Sequence, residues 1–134
     1  MQKYDDWNEI KKETSSKNIK IGIKQREIFW VKIGQNIGSE EYGKGKNFTR
    51  PVIIIRKLTK DLFIGIPTTT KLKTDDYFHQ FKYKSKKDGE IEVSAMILQF
   101  KVFSVQRLTN RIGMINKDDF DKILEKSRKL FAPT

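Results

Sequence analysis

The chain has no cysteine and a single histidine in 134 residues. Without cysteine there is no disulfide, no thiolate nucleophile and no zinc–cysteine site. With His79 alone, no second imidazole is available for a metal centre, and no acidic cluster has ligand spacing. Asp75-Asp76 and Asp118-Asp119 fit a turn and a helix start. His79 lies in an aromatic stretch and reads as a packed residue, so a histidine-based triad has no support. No metal and no cofactor are expected. No apolar run approaches the length of a membrane-spanning helix. The opening residues MQKYDDWNEIKK lack the apolar core of a secretory signal. A cytoplasmic protein with no membrane partner is the expectation.

What is present is positive charge. Twenty-eight lysines and arginines against 17 acidic residues give a formal net charge of +11, while 37% hydrophobic content suffices for one folded domain. The cations are spread from Lys3 to Lys129, as a field over the molecule and not as a localisation tag. The partner they imply is a polyanion, with nucleic acid first among the candidates.

The most informative stretch is RPVIIIRKLTKDLFIGIPTTT, Arg50 to Thr70. Two β-branched runs, Val52 to Ile55 and Leu62 to Ile66, flank the polar segment Lys57 to Asp61 as in a β-hairpin. A turn centred on Thr59 and Lys60 pairs residues whose numbers sum to 119, so that Arg50 lies opposite Thr69. A loop one residue longer or shorter places Arg50 beside Thr68 or Thr70 instead. The face of Pro51, Ile53, Ile55, Leu62, Ile64 and Ile66 is expected in the core. The face of Arg50, Val52, Ile54, Phe63 and Thr69 is mixed and reads as part of a pocket or interface. Pro51 and Pro67 suit strand ends, where a missing N–H costs no ladder bond.

Elsewhere, Asp6 to Glu13 reads as a short capped helix, followed by a polar linker. Together, residues 1–25 form an N-terminal arm and residues 26–134 the main domain. Glu27 to Gly34 is a mostly apolar strand. The glycine-rich polar stretch from Gln35 to Thr49 is a long surface loop that ends at Arg50. Alternating Tyr77, His79, Phe81 and Tyr83, followed by the Asp88-Gly89 turn, predict a second hairpin. The run from Ile91 to Val105 is too long for one strand and is expected to break near Gln99. From Asn116 the period changes to 3.6, which predicts a helix capped by Asn116, with Phe120, Ile123, Leu124, Ser127 and Phe131 on one side and a stop at Pro133. The fold class is mainly β: a small antiparallel barrel with terminal and peripheral helices.

The chemistry left to such a chain is that of cations and hydroxyls. RNA carries its own nucleophile, the 2′-hydroxyl. Its cleavage needs stabilisation of charge on the phosphoryl oxygens, which an arginine fork matches. Arg50 does not act as a free base, because its pKa exceeds about 12. Thr69 can hold the same phosphate in line. From the residues alone, a solvated arginine beside a β-branched strand end is the simpler reading of this pair.

The order FWVKIG, GSEEYGKG, RPVIII, IPTTT, SAMILQFKVFSVQRL and a terminal amphipathic helix resembles the MazF/PemK-like toxins of type II toxin–antitoxin systems, over residues 26 to 131. The resemblance implies an SH3-like barrel that forms a homodimer and acts as a metal-independent, sequence-selective endoribonuclease on single-stranded mRNA. It also implies an antitoxin whose acidic segment occupies the RNA groove. It assigns catalysis to Arg50 and Thr69, and proton transfer or loop orientation to Glu40. Gln99 and Lys101 fall on the family's RNA-contacting positions. Lys44, Lys46, Phe48, Thr68 and Thr70 flank the same segments as RNA-binding candidates. The chain departs from the pattern in a longer insertion, KGKNFT, before Arg50, and in Leu98, which stands where some members carry an acid. A noncatalytic barrel of the same fold, binding RNA or inhibiting a protein such as gyrase, is the alternative.

Overall fold

Seven antiparallel strands and one helix make up the architecture among the described residues, 22–33 and 48–133 of a computed structural model. The expected helix from Asp6 to Glu13 and nearly all of the glycine-rich loop lie outside them. The strands are β1 (Glu27–Lys32), β2 (Thr49–Lys57), β3 (Leu62–Thr69), β4 (Phe78–Ser85), β5 (Gly89–Met96), β6 (Lys101–Ser104) and β7 (Leu108–Met114), followed by α1 (Lys117–Lys129). The sheet order is β4-β5-β3-β2-β1-β7. β6 pairs with the Leu62–Gly65 half of β3, while β5 takes Thr68 and Thr69. A 3-10 turn at Ile97–Gln99 separates β5 from β6, which is the break expected near Gln99. Because one edge of β3 passes from β6 to β5, the sheet curls and the β4–β5 ribbon folds over it as in a half-opened barrel.

The β2–β3 hairpin keeps the expected register from Val52↔Pro67 to Ile54↔Gly65. A bulge then moves it by one, to Arg56↔Ile64 and Lys57↔Phe63. The turn explains the shift: the Thr59 hydroxyl accepts from the backbone N–H groups of Asp61 and Leu62, which closes a loop centred on Lys60.

Side-chain alternation sends the hairpin into two cores. Ile53, Ile55 and Ile66 meet Ile28, Phe81, Tyr83, Val93, Ile112 and the helix residues Phe120 and Ile123. This is the core expected from the sequence except at the strand ends, where Leu62 is exposed and Pro51, like Ile64, only partly buried. The opposite face needs correction, since Val52, Ile54 and Phe63 are also fully buried, against Phe29, Val31, Phe103 and Leu108. Only the charged strand ends kept that face from reading as core. β6 and the start of β7 supply the cover, and each buried aliphatic or aromatic side chain contributes on the order of 1.5–3 kcal/mol.

The second hairpin pairs Phe78↔Met96 through Ser85↔Gly89 without irregularity. Gly89 adopts φ 76°, a left-handed conformation that glycine takes without steric cost. His79, Phe81, Tyr83 and Ser85 point inward, whereas Tyr77 is exposed. His79 Nε2 lies 2.8 Å from Asp119 Oδ1, so the histidine ties β4 to the first turn of α1. Asn116 caps α1 as expected, its side-chain oxygen accepting from the Asp119 N–H at 2.8 Å. The helix ends before Phe131, whose ring is exposed and meets Phe100 edge-on.

Candidate functional site: a basic groove at the strand ends

At the end of β2 the backbone ladder with β3 stops at Val52↔Pro67, because Thr68 and Thr69 have turned to pair with Ala95 and Ser94 of β5. The expected ladder therefore ends before Arg50 and Thr69, which are not paired with each other; Thr69 pairs with Ser94 instead. The gap that opens is bridged by side chains. Arg50 Nη1 donates to the Thr68 carbonyl oxygen at 2.9 Å, and the Thr68 hydroxyl donates to the Pro51 carbonyl at 3.2 Å. The Arg50 guanidinium also sits over the Phe48 ring, 5.2 Å from its centroid. These contacts hold a cation in a defined place at low entropic cost.

A groove of about 650 Å³ opens beside this clamp. Its near wall is Phe48 to Pro51 and Thr68 to Lys71, and its far wall is the β4–β5 hairpin from Tyr83 to Asp88, with Trp30, Asn110, Arg111 and Ile112 closing one side. Among the described residues that line it are the cations Arg50, Lys71, Lys86, Lys87 and Arg111, against the single carboxylate of Asp88. Arg111 is committed in part, its Nε donating to Glu27 Oε2 at 2.8 Å. The other cations face a concave surface that favours an anion.

The candidate residues fall into three groups. Phe48, Arg50, Thr68, Thr69 and Thr70 all line the groove. Thr68 is buried and structural in its contacts, whereas Thr69 is half-buried, with its hydroxyl accepting from the Lys71 N–H at 3.3 Å. Gln99 and Lys101 are exposed but do not line this groove. Lys101 pairs with Gly65, at the other half of β3 from Thr69, and its ammonium lies 5.5 Å from the Phe103 ring. Glu40, Lys44 and Lys46 lie outside the described residues.

Sequence reasoning passed over Trp30, Tyr83, Lys86 and Lys87. The two lysines were visible as a basic hairpin turn, but nothing local says that this turn faces Arg50. Tyr83 carries a perturbed phenol. Burial, and secondarily the Asp88 carboxylate, push its phenol up from 10.0 to about 12. Its hydroxyl is buried with no hydrogen-bond partner among the described residues. A glycine explains how the ring fits: a Cβ on Gly113 would stand 2.6 Å from Tyr83 Cδ2 and 2.9 Å from the Lys84 carbonyl oxygen, so only glycine lets β7 and β4 approach. The Lys86 N–H donates to the Ile112 carbonyl at 3.1 Å and completes that seam.

No group of histidine and carboxylate side chains among the described residues could hold a metal ion. No described helix is long and apolar enough to cross a membrane.

A curled antiparallel half-barrel with a C-terminal helix is the architecture of a known class of small toxins. Residues 24–131 match the family model of the PemK-like, MazF-like toxins of type II toxin–antitoxin systems, and the chain belongs to that family. The fold agrees. MazF from Deinococcus radiodurans superposes with a TM-score of 0.62 at 13% identity, over 81% of this chain and 94% of that one. Toxin MazF-mt6 of Mycobacterium tuberculosis gives 0.58 at 14% identity, over 79% and 96%. A mycobacterial endoribonuclease solved with its cognate antitoxin gives 0.58 at 12% identity, over 84% and 100%. No curated protein matches the chain.

Proposed function

We propose that this chain is an endoribonuclease toxin that cuts single-stranded RNA by attack of a 2′-hydroxyl on the adjacent phosphate. The observation that carries the reading is Arg50, clamped between the Thr68 carbonyl and the Phe48 ring at the margin of a basic groove, in a chain of this toxin family. Attack forms the 2′-oxygen–phosphorus bond and expels the 5′ oxygen, leaving a cyclic phosphate and a 5′-hydroxyl. Charge builds on the non-bridging oxygens, and the Arg50 fork stabilises it there. The Thr69 hydroxyl hydrogen-bonds the same phosphate and holds the attacking oxygen in line. Glu40 takes part in proton transfer or orients the loop before Arg50. Lys44 and Lys46, with Phe48 and Thr70 nearer the phosphate, guide the strand. A 2′-hydroxyl is required, so DNA is not cut.

A second copy of the chain is the partner we assign to the exposed apolar patch of Leu98, Phe100, Val102 and Phe131 beside β6, a strand that pairs only with β3 among the described residues. Gln99 and Lys101 alternate with these residues along the same segment, and we assign their contact with RNA to the dimer. An acidic antitoxin segment competes with RNA for the groove, as the net charge of +11 favours.

The test is incubation of purified protein with a long single-stranded RNA and the matching DNA, in EDTA. New ends in the RNA alone are expected, and Arg50→Ala is expected to slow their appearance about 10²–10³-fold. Cleavage by Arg50→Ala at the wild-type rate refutes the mechanism. Tight RNA binding, or poisoning of gyrase, without new RNA ends favours a noncatalytic barrel instead.

A further inference from the structure

Ser94 carries a hydroxyl in β5 on a residue with no solvent access. Its neighbours Val93 and Ala95 point into the first core, so alternation turns Ser94 to the other face of the strand. There it meets the backbone of Lys73: its Oγ accepts from the Lys73 N–H at 2.8 Å and donates to the Lys73 carbonyl oxygen at 3.1 Å. Thr69 stands directly opposite Ser94 in the β3–β5 ladder and shares that face. Its own hydroxyl accepts from the Lys71 N–H at 3.3 Å. The two hydroxyls of one cross-strand pair thus take alternate amides of the same strap, the connection that leaves β3 after Thr69. We propose that Ser94 is a positioning residue for the Thr69 hydroxyl. By fixing Lys73 it fixes the Lys71 N–H, and so the direction in which Thr69 presents its proton to a phosphate. The inference rests on the nuclease reading for the role of Thr69 itself.

Three observations support it. A hydroxyl has one proton and two acceptor sites. An N–H held against one lone pair of Thr69 sets the rotation of its O–H, which aims the proton away from the strap and toward an anion. Next, the strap needs an anchor at this end. Residues 70–77 are all exposed, and the other bonds that hold them lie toward β4 and α1. There the Thr74 hydroxyl accepts from the Gln80 N–H at 3.3 Å and the Asp75 carboxylate from the Tyr77 N–H at 2.7 Å, while Lys126 donates to the Asp75 and Phe78 carbonyls at 2.8 Å each. Ser94 holds the end that leads away from Thr69, and with it Lys71, a cation that lines the groove. Lastly, packing does not explain a serine at this place. Alanine fills nearly the same space without a polar group to satisfy, so the hydroxyl is accounted for by the two bonds it makes.

Two measurements test the role of Ser94. In steady-state cleavage of a single-stranded RNA, Ser94→Ala is expected to lower kcat about tenfold and to leave KM within about twofold of wild type. In a Thr69→Ala background the same substitution is expected to lower kcat no further, because the group it acts through is gone. Asn116→Ala, which loses a helix cap outside the groove, is expected to keep the wild-type kcat at a temperature where all variants are folded. Amide hydrogen exchange, read fragment by fragment, is expected to quicken over residues 70–76 in Ser94→Ala and to stay unchanged in β1 and β2. In a protein that cuts RNA, an unchanged kcat, an equal drop in both backgrounds, an equal drop in Asn116→Ala or unchanged exchange over 70–76 overturns the positioning role and leaves the nuclease standing. Thr69→Ala as fast as wild type overturns it too, with Arg50 untouched. If wild type makes no RNA ends, the nuclease reading falls and exchange alone decides: quickened exchange upholds the Ser94 anchor, and unchanged exchange overturns both.

Discussion

Replacing Tyr83 by phenylalanine removes one oxygen from the wall of the groove and has two separable consequences. At neutral pH the hydroxyl is buried without a partner. Leaving such a donor unbonded costs on the order of 1–3 kcal/mol, so Tyr83→Phe is expected to be more stable than wild type by about 1 kcal/mol. At alkaline pH the second effect appears. The folded protein holds the phenolic proton up to about 12, whereas an ordinary tyrosine phenol releases it near 10.0. Above that lower value the unfolded chain releases the proton first, so wild-type stability is intact below it and falls as pH rises toward the folded value. The loss is on the order of 1 kcal/mol by roughly pH 11 and on the order of 2–3 kcal/mol once both states have ionised. Alkaline effects common to both proteins cancel in the difference. Urea unfolding from pH 7 to 11, followed by tryptophan fluorescence, gives that difference directly. A variant less stable than wild type at pH 7, or a gap that stays flat up to pH 11, refutes the account of Tyr83.

Arg50→Lys keeps the charge and loses the fork, so RNA cleavage is expected to stay about 10²-fold below wild type; a full rate would show that charge alone suffices. Gly113→Ala drives a methyl group against the Tyr83 ring and the Lys84 carbonyl, which as backbone cannot move aside, and is expected to cost about 2–3 kcal/mol in urea unfolding. An unchanged midpoint would mean that the β4–β7 seam is looser than described. Asn116→Ala removes the cap of α1 and is expected to cost about 1 kcal/mol, read in the same assay.

Much of this protein follows from local pattern. The β-branched runs on either side of Lys57 to Asp61, the Asp88-Gly89 turn and the change of period at Asn116 each describe a few neighbouring residues. The strands and the helix appear where the pattern puts them, but the second turn is Lys86 to Asp88, with Gly89 already paired to Ser85 in β5. The break near Gln99 belongs with them, since a strand of that length cannot follow a curled sheet. The register of Val52 to Ile54 against Gly65 to Pro67 was legible because hairpin pairing is local, and the absence of cysteine and of a second histidine narrowed the chemistry before any fold was known. Tertiary structure decided which surfaces are covered. Val52, Ile54 and Phe63 became a second core because β6 and β7 lie over them, and no periodicity within the hairpin announces that cover. The transfer of β3 from β2 to β5 made Arg50 reach for the Thr68 carbonyl and opened the groove. The same curl brought Lys86, Lys87 and Tyr83 opposite residues 48–51, and left Gln99 and Lys101 elsewhere. Strand and turn preferences act over a few residues, whereas the walls of a groove are joined only by packing between segments far apart in the chain.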